Sequence, residues 1–273
     1  MAPVRRTESI KKWYAVLLHS LFPGGRLWAC IVNIVLPHDS TEYIVCGRSA
    51  SLERKIWIVP TAMKRPTLAA VFMDAELYRE RVDAAAVIKL LHLEGHLPPT
   101  ASAFVSHHSA AARHTDFTCA AEYTTFIAED VTAWVRERFP SIQSIVLAGL
   151  SLSGLAAAFA ATQYQHAFAA AICQSPSFWW QDGWFFKNLA SATGTSQKLW
   201  ISVGEQETDS DIYHSPSNMF QKLTQVEACD AASAALQQGG YEVRYRKFAG
   251  GHDPSCWRDD LVLALPWACG IRG

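Results

Sequence analysis

Ile145-Val146-Leu147-Ala148-Gly149-Leu150-Ser151-Leu152-Ser153-Gly154-Leu155-Ala156-Ala157-Ala158 is the stretch that decides the fold. An apolar run short enough for a buried strand ends at Gly149, and an Ala-rich run suited to a helix begins after Ser151, so one serine falls on a sharp strand-to-helix turn. Such a turn presents the hydroxyl at a helix N-terminus, where free backbone N–H groups stabilise an oxyanion. The usual elbow pattern is G-x-S-x-G; here Ser153 takes the fifth position and Gly154 follows.

Around that turn the chain reads as an alternation of strands and helices. Strands are expected over Leu27–Leu36, Tyr43–Cys46 and Lys55–Val59, forming an antiparallel edge, then over Leu68–Met73, Ala103–Ser106, Ala169–Cys173, Lys198–Val203 and Glu242–Phe248. Helices are expected over Leu77–His92, Ala121–Arg138, Ser217–Gln238 and Cys256–Leu265. That order predicts an α/β fold with a mostly parallel central sheet covered by helices on both faces. Residues 1–48 read as an N-terminal extension with strands that could join the sheet, and residues 49–273 as one catalytic domain.

Composition bounds the partners. The 273 residues are 50% hydrophobic and include 10 Trp and 13 Phe, enough for one substantial core. A net charge of −1, with 24 basic and 25 acidic residues well mixed, argues against nucleic acid or an anionic membrane as partner. Seven scattered cysteines with no C-x-x-C pair speak against a zinc site and favour a reducing cytoplasm. Arg5, Arg6, Lys11 and Lys12 precede the apolar run Trp13–Phe22, which is too short to span a membrane and is followed by no A-x-A cleavage site. The basic flank and apolar core make a signal peptide, and with it a periplasmic or secreted location, the alternative expectation. No cofactor or metal is called for.

A serine nucleophile needs a base and an acid, which on such sheets follow in the order acid then histidine on carboxyl-edge loops. His252 follows the last strand through Gly250-Gly251 and is the best base. The histidines His107, His108 and His114 precede the serine and read as ordinary polar residues. Glu205, Glu207 and Asp209 all lie on the loop after Lys198–Val203, and spacing does not choose among them.

Several segments together resemble the enterochelin esterases, α/β hydrolases that open the trilactone of ferric enterobactin. Gly250-Gly251-His252-Asp253-Pro254-Ser255-Cys256-Trp257-Arg258 is similar to their catalytic-histidine segment, Gln174-Ser175-Pro176-Ser177-Phe178-Trp179-Trp180 to Q-S-G-S-[FY]-W-W, and Ala148–Leu155 to A-G-Q-S-F-G-G-L. Arg54–Ile58, Met73–Tyr78 and Arg113–Cys119 resemble R-x-V-W-I, L-D-G-E-F-W and R-x-x-E-L-x-C. The resemblance implies Ser151 as nucleophile, His252 as base and Glu207 as acid. It implies oxyanion donors at Leu152 and Ala75, Arg113 facing the substrate, and Trp179 and Trp180 lining the pocket; Arg258 and Lys187 are further cations for an anionic ligand. Glycines of the family pattern are replaced at Ala75, Ser153 and Pro176, and only about fifty residues precede the hydrolase core. The function implied is a serine esterase acting on a small-molecule ester, a siderophore trilactone first and a general carboxylester such as a feruloyl or polyester substrate second. A non-enzymatic binding protein on the same scaffold would be expected to have lost one of the three.

Overall fold

The computed structural model describes residues 40–48, 52–59, 65–190 and 197–271, which belong to one compact unit. The expectations for Trp13–Phe22 and Leu27–Leu36, and Cys30, lie outside the described residues. Eight strands form the main sheet: β1 (Thr41–Cys46), β2 (Glu53–Val59), β3 (Leu68–Met73), β4 (Thr100–Val105), β5 (Ser144–Leu150), β6 (Ala170–Gln174), β7 (Lys198–Gly204) and, last in sequence, β10 (Glu242–Phe248). Their order is β1-β2-β4-β3-β5-β6-β7-β10. β1 and β2 are antiparallel, β2 is antiparallel to β4, and the other neighbouring pairs are parallel.

The sequences of the central strands explain their places. β3, LAAVFM, and β6, AAICQ, are buried at every position, as strands covered by helices on both faces must be. β1 exposes most of its residues and fits an edge. The longer helices are α1 (Ala84–Leu93), α2 (Leu152–Gln163), α3 (Gln225–Gln238) and α4 (Pro254–Ala268). The chain steps from β3 to β4 on one side and then crosses to β5 on the other. Loops leaving β3 and β5 therefore diverge at the carboxyl edge and open a crevice there.

Two expected helices are corrected. The run Leu77–His92 is broken: a wide turn spans Tyr78–Val82, Asp83 adopts a left-handed φ of 59°, and only Ala84–Leu93 is a regular helix. The run Ser217–Gln238 opens on a strand, not a helix: β9 (Met219–Gln221) pairs with β8 (Ile212–His214), which precedes the run. Its helix starts at Gln225 because Thr224 and Glu227 form a capping box, each side chain bonding the other's backbone N–H. The helical run Ala121–Arg138 is continuous but contains a wide turn at Phe126–Val131.

Candidate active site

Ser151 is the hinge between β5 and α2. Its φ of 54° and ψ of −123° lie in a region non-glycine residues rarely occupy, and its N–H donates to the Gln174 carbonyl (2.9 Å) while its own carbonyl accepts from Ser177 N–H (3.0 Å). The turn closes so tightly that a Cβ at Gly149 would stand 2.0 Å from the Ser153 carbonyl oxygen, so only glycine fits. Ser153, where the elbow pattern has glycine, is fully buried. Its hydroxyl donates to the Leu150 carbonyl (2.7 Å) and accepts from Leu150 N–H (2.8 Å). The substitution is thus accommodated as a brace across the turn.

The neighbouring loops bring the other two groups in. β7 and β10 are adjacent, and their following loops are tied together by Glu205 N–H to the Phe248 carbonyl (2.9 Å) and Gln206 N–H to the Gly250 carbonyl (2.9 Å). A Cβ at Gly204 would meet that Gly250 oxygen at 2.5 Å, so the approach again depends on glycine. His252 Nε2 lies 3.1 Å from Ser151 Oγ, and its Nδ1 lies 2.6 Å from Glu207 Oε2. Glu207 Oε1 accepts from Gly204 N–H (2.7 Å) and from the Ser175 hydroxyl (2.6 Å). Glu207 is 7% exposed, whereas Glu205 and Asp209 face solvent. Of the three carboxylates left open by spacing, Glu207 is the one in contact with the imidazole.

Leu152 and Ala75 each open a helix, so neither N–H has a partner within its own helix. They leave adjacent strands, β5 and β3, at the same edge. Asp74, just before Ala75, is fully buried and left-handed (φ 61°), and it gathers a cluster. Its carboxylate accepts from Arg113 Nε (2.8 Å) and Nη2 (2.7 Å), bonds His107 Nδ1 (2.7 Å), and lies 3.4 Å from Ser153 Oγ. Hydrogen bonds to Asp74 and then Glu76 pull the His107 pKa up to about 9, against burial. Burial opposes the Glu76 charge, yet bonds from His107 and Ser106 hold its pKa down at about 2. Asp74, Glu76 and His107 have the donor types of a metal site, but each is already engaged by the others or by Arg113.

A cavity of about 410 Å³ opens beside Ser151 and His252. Arg113 and Trp179 line it, as expected, but each is also engaged structurally. Arg113 is ion-paired to Asp74, and Trp179 donates to Gln225 Oε1 (2.6 Å) beneath His214, which stacks on it at 4.8 Å. Three expectations are corrected. Trp180 is absent from the cavity lining and packs on the core edge-on to Trp184 (6.0 Å). Arg258 donates to the Val82 (2.6 Å) and Arg81 (3.0 Å) carbonyls, closing off the Tyr78–Val82 turn rather than facing the cavity. Lys187 pairs with Asp182 on the surface (2.9 Å). The β8–β9 hairpin, whose second strand falls inside the run expected as helix, supplies Ile212, His214, Met219 and Gln221 to the cavity wall. Strands of three residues are too short to show alternation, so the sequence carries no periodic signal for them.

An elbow serine, an imidazole and a buried glutamate in series at the carboxyl edge of a mostly parallel sheet define the class, the α/β hydrolases. Within it, the chain belongs to the family described as putative esterase, whose model matches residues 65–268. It is 26% identical over 285 residues to the iron(III) enterobactin esterase of Dickeya dadantii (strain 3937), covering 97% of this chain and 64% of that protein. The crystal structure of the enterobactin esterase from Shigella flexneri in the presence of enterobactin superposes with a TM-score of 0.70 at 22% identity, over 88% of this chain and 61% of that one. A siderophore hydrolase from Aspergillus nidulans matches with a TM-score of 0.62 at 18% identity, over 86% and 96% of the two chains. This chain thus spans less than two thirds of the length of the enterobactin esterases it matches. Among the described residues no helix is long and apolar enough to cross a membrane.

Proposed function

We propose that this protein is a serine esterase that hydrolyses the ester bonds of a catecholate siderophore trilactone of the ferric enterobactin type. The observation that carries the chemistry is the series Ser151 Oγ, His252 Nε2 (3.1 Å), His252 Nδ1, Glu207 Oε2 (2.6 Å). The substrate class is supported by the relatives named iron(III) enterobactin esterase.

Ser151 alone is a weak nucleophile, so His252 Nε2 takes its proton as Oγ attacks the ester carbonyl. Glu207 keeps the Nδ1–H tautomer and steadies the imidazolium. The oxyanion forms against the N–H groups of Leu152 and Ala75. The imidazolium then protonates the leaving alkoxide, which departs as the alcohol. Water, deprotonated by the same imidazole, attacks the acyl-serine and releases the acid.

A general carboxylesterase is the second reading, and one observation favours it: the Arg113 charge is already matched by Asp74. Parallel assays of ferric enterobactin and p-nitrophenyl butyrate separate the two. The siderophore reading expects turnover of the trilactone, with Arg113→Ala lowering kcat/KM for the trilactone further than for the small ester, because loss of the Asp74 partner beside the oxyanion loop affects both substrates while a lost catecholate contact affects only one. Ready turnover of the small ester with the trilactone left intact establishes the second reading instead.

A further inference from the structure

We infer that Ser175 and Trp257 are positioning residues for the triad, acting through Glu207. The inference rests on the esterase reading above. Trp257 Nε1–H donates to Ser175 Oγ (2.9 Å), and the Ser175 hydroxyl donates to Glu207 Oε1 (2.6 Å). Ser175 is fully buried, and Trp257 and Glu207 nearly so.

The direction of these bonds follows from chemistry. An indole N–H only donates, and an ionised carboxylate only accepts. With the indole on its oxygen, the serine hydroxyl has its proton free for Glu207. Oε1 then holds two donors, the Ser175 hydroxyl and Gly204 N–H, and Oε2 is left to the Nδ1–H of His252. The carboxylate is fixed, Nδ1 carries the proton, and the Nε2 lone pair is aimed at Ser151.

Ser175 is also held in a conformation that costs energy. Its φ is 41°, left-handed for a residue with a side chain, and its N–H donates to the Ser202 carbonyl (2.7 Å). Trp257 touches the base directly as well, its ring perpendicular to that of His252 (88°, centroids 4.8 Å). Since α4 begins two residues after His252, a single segment carries both the base and the indole that orients the acid.

The test measures kcat and KM on p-nitrophenyl butyrate, together with Tm, for wild type, Ser175→Ala, Trp257→Phe and the double variant. Ser175→Ala is expected to lower kcat roughly 10- to 100-fold, the range of one hydrogen bond to a charged group, with KM changed by less than about twofold. Trp257→Phe should lower kcat several-fold in the wild-type background and by a clearly smaller factor in the Ser175→Ala background, since its N–H acts through that hydroxyl while its ring contact with His252 is present in both. Multiplying effects in the double variant, a loss carried by KM instead of kcat, or losses that follow Tm alone overturn the inference. An inactive wild type overturns the esterase reading with it; an active wild type with an unaltered Ser175→Ala overturns this inference alone.

Discussion

Glu207 shares its loop with two other carboxylates, and burial separates it from them. Its two oxygens hold Gly204 N–H, the Ser175 hydroxyl and His252 Nδ1, while Glu205 and Asp209 face solvent. Glu207→Gln is therefore expected to lower kcat by about three to four orders of magnitude with little change in KM, by spoiling the imidazole tautomer. Glu205→Gln and Asp209→Asn should leave kcat within about threefold of wild type; a larger loss from Asp209→Asn in steady-state assays moves the acid there. His107 carries a pH prediction. Its folded pKa of about 9 exceeds the ordinary 6.5, so the native state holds the proton more tightly than the unfolded chain. Its contribution to stability is complete below pH 6.5 and is lost as pH rises through about 9. Glu76, held at about 2 instead of 4.5, contributes above pH 4.5 and loses its contribution as pH falls through about 2. Urea unfolding of His107→Gln should show a gap from wild type that shrinks between pH 6.5 and 9; a constant gap contradicts the ion cluster. Residue identity alone did not disclose these partners. The same limit misassigned Arg258 and Trp180, since a sequence gives a side chain's position on the chain but not which way its turn points it.

At the scale of elements, the strand-turn-helix at Ser151 was fully legible because its parts are local: an apolar run, a glycine that admits the Ser153 carbonyl, and an alanine helix. Gly149→Ala must push backbone against backbone, and is expected to cost at least about 3 kcal/mol by denaturant unfolding or to leave the protein unfolded. A stability within about 0.5 kcal/mol of wild type contradicts the elbow geometry. The β8–β9 hairpin was not legible. Its strands are three residues each, too short to display alternation, and the capping box at Thr224 was absorbed into a longer apparent helix. Yet the hairpin makes one wall of the cavity with Ile212, His214, Met219 and Gln221. Replacing residues 212–221 with a short Gly-Ser turn should raise KM for the preferred ester by roughly tenfold or more through lost uniform binding, while Ser151 still reacts. Unaltered KM removes the hairpin from the substrate site.

For the molecule as a whole, sequence showed how many buried strands there are and which loops follow them, because both-face burial writes continuous apolar runs. It did not show the crossing of β4 to the far side of β3, since order within a sheet is set by long-range packing rather than by any one segment. That crossing opens the crevice where loops from β3, β5, β7 and β10 converge, bringing together Asp74-Ala75, Ser151, Glu207 and His252 from positions spread over nearly 180 residues of chain. Two pairs of loops met by strand adjacency, after β3 and β5 and after β7 and β10, give the nucleophile, its acid and its base in strand order across the sheet. This convergence activates one serine. Treatment with a fluorophosphonate, read by intact mass and peptide mapping, should give one adduct per chain, located at Ser151, and the adduct should be lost in His252→Ala, where the hydroxyl has no base. No adduct on the folded wild type, an adduct at Ser153, or labelling that persists in His252→Ala would contradict it.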